Sequence, residues 1–137
     1  MLETSRIVAE ISAGELLDKI VILEIKRSRL TVPAQLANVE REWAALTAER
    51  DQKIRPVAAD RAALDAAIEE LREVNETLWQ IEDDIRVCER NKEFDARFVE
   101  LARGVYHTND RRSALKRRIN DLLGSHLVEE KQYAEYR

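Results

Sequence analysis

The densest gathering of chemically able side chains is Tyr106-His107-Thr108-Asn109-Asp110-Arg111-Arg112, which places a phenol, an imidazole, an amide, a carboxylate and two guanidinium groups in one short stretch. Thr108 and Asn109 are helix-capping types, and Asp110 is suited to a first helical turn. A helix start offers free amides and a positive dipole end to an anion. The stretch therefore reads either as a site for a small anionic ligand at the start of a helix, or as ordinary capping. Arg111, Arg112, Lys116, Arg117 and Arg118 prolong it as a basic face open to a protein partner. RNA is a third reading of that face, weakened because no stacking aromatics are interleaved with the charge.

A second constellation lies upstream. Asn75, Glu82 and Glu89 recur at seven, each directly after an apolar residue (Val74, Ile81, Cys88), so they share one flank beside an apolar stripe. Trp79 and Arg86 repeat at the same interval, and Glu82 with Arg86 forms an i,i+4 pair. This flank reads either as the polar edge that sets register between helices or as a groove for a ligand or partner built from Asn75, Trp79, Glu82 and Arg86.

No set of residues suggests catalysis, a metal or a cofactor. His107 and His126 are the only histidines, and neither completes a Glu-x-x-His spacing. Ser125-His126 and Cys88 lack any local motif that would hold a nucleophile against a base. Cys88 instead falls at a core position of the stripe, where a thiol acts as a small apolar side chain. Gly14, Gly104 and Gly124 cannot be assembled into a Walker or Rossmann phosphate loop.

These residues must be positioned by helices. In 137 residues, 45% are hydrophobic and 36% charged, with only three Gly and two Pro, so the turn residues that many short strands need are missing. The pattern predicts an all-α fold: an elongated helical hairpin or antiparallel coiled coil with short additional helices, forming a single helical domain over residues 1–137. Ser12-Ala13-Gly14-Glu15 is a capping box and starts a helix over 12–30. Pro33 fits a first turn, and Leu36, Val39, Trp43 and Leu46 mark a helix over 33–54. Pro56 then forces a turn or kink. Leu64, Ile68, Leu71, Val74, Leu78, Ile81, Ile85 and Cys88 step by four or three along a helix over 57–90. The 33–54 helix is expected to fold back along the 57–90 helix, with the hairpin tip near 51–57. Over 93–137 the pattern predicts a short helix at Phe94–Val105, another from Thr108 or Asn109 to Gly124, and a docked tail. Arg6 to Ile11 alternates as one short strand or an extended arm would.

Eight acidic residues face one Arg between Asp65 and Asp84, while six basic residues face only Asp110 between Arg103 and Arg118. Such runs pair across antiparallel helices, face water, or dock a partner. The net charge of −4 gives no strong pull toward nucleic acid or an anionic membrane. The longest apolar runs, such as Ile20 to Leu23, are far too short to cross a bilayer, and Met1 to Ser12 has no apolar signal core, so no membrane insertion is expected. One cysteine suits a reducing compartment.

Ser12 to Lys26 (SAGELLDKIVILEIK), Leu78 to Asp83 (LWQIED) and Tyr106 to Arg111 (YHTNDR) resemble a family of small bacterial proteins known only as a domain of unknown function. The likeness covers about residues 7–30 and 75–133. It implies a bacterial, cytoplasmic helical protein and carries over no catalytic residue. Taken together, the sequence points to a non-catalytic interaction or scaffold protein. It is expected to be a homodimer that engages an unknown protein partner through Asn75, Trp79, Glu82 and Arg86 and through Tyr106, Asn109, Asp110, Arg111, Lys116 and Arg117. The alternative is a binding protein or enzyme that takes a small anionic metabolite at the Tyr106–Arg112 helix start.

Overall fold

The described residues form four helices, in the order α1 (Ala13–Arg29), α2 (Pro33–Lys53), α3 (Ala58–Arg90) and α4 (Ala96–Leu123). The structure is a computed structural model that describes residues 5–55 and 58–137, and no strand occurs among them. The fold is all-α.

Local chemistry sets the ends. The Ser12 hydroxyl accepts a hydrogen bond from the Glu15 amide at 3.1 Å and so caps α1. Pro33 opens α2, where its missing N–H costs nothing. Lys92 turns the chain after α3 with a φ of 56°, and the Asp95 side chain caps α4 through the amides of Arg97 and Phe98. Gly124 ends α4 in the left-handed region, φ 58°, which only glycine adopts without strain. The expected turn at Pro56 lies outside the described residues.

The core joins three helices. Leu16, Leu17 and Ile20 of α1 pack on Leu64, Ala67, Leu71, Val74 and Leu78 of α3 and on Leu115 and Ile119 of α4. α3, about 50 Å long at 1.5 Å per residue, runs antiparallel to α4. α2 lies along α1: Arg27 pairs with Glu40 at 2.6 Å and stacks on Trp43, 3.9 Å from the ring centroid. Glu24 ties three helices together by accepting from Trp43 at 3.3 Å and from Arg72 of α3 at 2.8 Å.

The structure corrects two expectations. The long hairpin is formed by α3 with α4, while α2 pairs with α1 and makes no close backbone approach to α3. The five-residue link after α3 forces the next helix alongside it, and α2 buries only Val39 and Thr47, too little to compete for the α3 stripe. Ala96 to Leu123 forms one helix where two were expected, because Thr108 is buried in the middle of α4 and no helix begins there. Of the two readings of Ile7–Ile11, a short strand or an arm, the structure shows the exposed arm.

Candidate functional site

α4 presents two different faces to the elements beside it, and every predicted site residue downstream of Tyr106 falls on one of them or on the solvent side.

The first face receives the start of α1. A helix start leaves amides without partners inside the helix, and here those of Ala13, Gly14 and Glu15 are all taken. The Ala13 amide donates to the Ser125 hydroxyl at 3.0 Å and the Gly14 amide to Asn120 Oδ1 at 2.6 Å. Glu15 and Leu16 donate to the side chain and carbonyl of Ser12. Gly14 is required by closeness, since a Cβ there would meet the Lys116 carbonyl oxygen at 2.5 Å.

One turn on, Asp18 is wholly buried, with 0% exposure. Its carboxylate accepts from Asn75 Nδ2 at 2.8 Å and from Arg112 Nε at 3.1 and 3.0 Å, with a further bond from the Arg112 terminal nitrogen. Lys116 reaches Glu15 at 2.6 Å and Glu129 at 2.8 Å, and lies 4.0 Å from Asp18. The hydrogen bonds to Asp18 hold the Arg112 guanidinium above its ordinary pKa. Burial pushes the Lys116 ammonium down, but its bonds to Glu129 and Glu15 outweigh this and leave it raised. Lys116 in turn holds the Glu129 carboxyl below its ordinary value. Among the described residues, every buried side-chain nitrogen or oxygen has a hydrogen-bond partner. A network so closed has no valence left for a ligand.

The second face is covered by the chain after Gly124, which returns along α4 without regular structure. It is held by side chains: Arg117 pairs with Glu130 at 3.2 Å, Lys131 donates to Ser113 at 3.1 Å, and the Tyr136 hydroxyl donates to Asp110. That last bond raises the Tyr136 phenol above its ordinary pKa. Between this tail and α4 opens a cleft of about 950 Å³, walled by Val105, Tyr106, Asn109, Asp110 and Ser113 on one side and by Lys131, Tyr133, Glu135 and Tyr136 on the other. Its surface is mostly apolar. Tyr106, His107 and Tyr136 cluster at its edge with ring centroids 4.9 to 5.1 Å apart.

The predicted residues are thus sorted by the fold. Tyr106, Asn109 and Asp110 are brought together in the cleft. Asn75 and Lys116 are turned into the buried network instead. Trp79 is half-buried, with the Arg29 guanidinium 5.6 Å from its ring centroid, and Glu82 pairs with Arg86 on the surface, so the flank of four does not converge. The basic run does not form one face: Arg112 and Lys116 point inward, Arg117 pairs with Glu130, and Arg111 and Arg118 lie on the exposed side. With no helix start at Thr108, the anion site expected there loses its dipole and free amides.

Sequence reasoning missed Asp18 and the tail wall. Asp18 carried a signal, a carboxylate beside Leu17 in an otherwise apolar stretch, since a buried charge requires a partner. The tail was expected to dock, but that Lys131, Tyr133 and Tyr136 would wall a cleft against α4 carried no signal, because it depends on where the tail folds back. No three side chains among His, Cys, Asp and Glu gather as a metal would need among the described residues.

A family model described as a family of unknown function, DUF6165, matches residues 7–136. The chain belongs to that family. No curated protein and no solved structure matches it. The matched span takes in the buried network, both walls of the cleft and the arm from Ile7. No helix among the described residues is long and apolar enough to cross a membrane.

Proposed function

We propose that the chain is a non-catalytic helical interaction protein, working as a homodimer, whose binding site is the cleft between α4 and the returning tail. The observation that carries this is the cleft itself: an open, mostly apolar trough edged by the phenols of Tyr106, Tyr133 and Tyr136. Tyrosine suits recognition because it offers a large rigid apolar body with a polar tip. A trough between a helix and an extended strap suits a short extended segment carrying apolar side chains. The buried network supports the reading from the other side, since its charges are spent on holding α1 to α4. A bacterial, cytoplasmic setting is the reading that the single free thiol of Cys88 and the sequence resemblance favour.

The test is a selection of displayed twelve-residue peptides on the purified full chain, repeated on Tyr106→Ala/Tyr133→Ala. Enrichment of peptides with apolar centres, and their loss of binding by tenfold or more on the double variant, is the expected result. Peptides that bind both proteins equally, or no enrichment over an unselected library, would overturn it.

A further inference from the structure

Two apolar surfaces of this chain stand without a cover, one an extended arm and the other a cleft. In the arm, Ile7 and Val8 are 92% and 93% exposed and Ile11 is 40% exposed. Large apolar side chains so fully in water, adjacent in sequence, mark a surface that something else covers. The arm also belongs to the family's matched span, which begins at Ile7.

The arm is not in the cleft of its own chain. Its root is fixed at Glu10, which pairs with His126 past the C-terminal end of α4, and at Ala13, which donates to Ser125. The α4 wall of the cleft lies further back, between Val105 and Ser113.

We propose that the cleft is filled by the arm of a second copy of this chain, so that two chains exchange arms reciprocally about a twofold axis. This rests on the reading of the cleft as a site for an extended segment and names that segment. The arm is long enough: residues 5–11 extended reach about 23 Å at ~3.3 Å per residue, more than spanning the α4 wall from Val105 to Ser113, which is about 12 Å long. Chemistry agrees as well. Ile7, Ala9 and Ile11 share one edge of an extended chain and offer it to an apolar, tyrosine-edged trough. Reciprocal exchange closes the assembly, because each chain both gives an arm and receives one.

Sedimentation equilibrium of the full chain tests this, with far-ultraviolet circular dichroism as a check on folding. The wild type is expected to be a dimer. Ile7→Asp/Val8→Asp, at positions too exposed to matter for the monomer's fold, is expected to be monomeric with unchanged helicity. Tyr133→Ala is expected to weaken the dimer about tenfold. A wild type that stays monomeric at its highest soluble concentration would overturn the proposal, as would a dimer whose affinity the arm variant leaves unchanged. The arm variant, with its cleft vacated, should capture the displayed peptides at least as well as the wild type. If it captures them while the wild type is monomeric, the arm exchange falls and the cleft as a binding site stands. If it captures none and the wild type is monomeric, both fall.

Discussion

The start of α1 and the tail lie against the same helix, yet α4 treats them differently. Where α1 docks, charges are buried and each buried polar atom has a partner, from the Asp18–Arg112–Asn75 cluster to the Gly14 amide on Asn120. Where the tail docks beyond the part-buried Lys116–Glu129 pair, the pairs are exposed and the backbone of the tail runs without regular structure. A buried ion pair that loses one member leaves the other stranded, so the first junction is unforgiving. An exposed pair is worth little, so the second can be moved by a ligand at small cost. The difference teaches which polar residues build the molecule and which remain available to a partner.

The contrast can be broken most decisively at its buried end. Asp18→Ala should cost about 3–5 kcal/mol in urea unfolding, because it strands the Arg112 guanidinium and leaves Asn75 unpaired. A cost near that of a surface substitution would show that the network is not what holds α1 on α4. Gly14→Ala comes next: its Cβ would meet the Lys116 carbonyl at 2.5 Å and Asn120 Oδ1 at 2.9 Å, and the resulting overpacking should cost about 1–3 kcal/mol.

Acid should loosen the tail before the core. Glu129 has a depressed pKa in the folded chain, so its contribution is present above the unfolded carboxylate value of about 4.3 and is lost as pH falls through the lower folded value. Limited proteolysis at the tail should therefore speed up in acid while helicity persists. Loss of helicity before any gain in tail cleavage would blur the two regions into one. At the other end of the scale, His126 has a raised pKa from its bond to Glu10. The tether it gives the arm is complete below about pH 6.5 and lost as pH rises through the higher folded value, which imidazole resonances in NMR can follow. Smallest in stability is Tyr106→Ala, expected within about 0.5 kcal/mol of wild type while peptide capture drops. A large loss of stability there would make the cleft part of the scaffold.

Much of this was legible in the sequence, and the misses share a cause. The starts and stops written in local chemistry were readable: the Ser12 cap, Pro33 and Gly124 all mark observed helix ends. The stripe from Leu64 to Cys88 was readable because its period alone defines the buried side, although Ile81 and Ile85 are only half-buried. The capping box was half right: Ser12 caps the Glu15 amide, but the Glu15 carboxylate turns to Lys116. Helix partners were not readable, since α2 and α4 both offer apolar edges and only burial decides between them. Thr108-Asn109-Asp110 looked like a cap because capping chemistry is local, and tertiary packing overrode it by burying Thr108. For the site, Tyr106, Asn109 and Asp110 were singled out and do meet in the cleft, but their opposite wall comes from residues that only folding brings near.

The central claim is that α4 holds α1 with one face and receives a partner segment with another. Its most direct test is a nitrogen-15 chemical-shift titration of the full chain with a peptide from the selection. The account predicts shifts along Val105–Ser113 and Lys131–Tyr136 and none at Gly14, Asp18 or Asn75. Shifts centred on the buried network, or on α2 and the far face of α3, would contradict it.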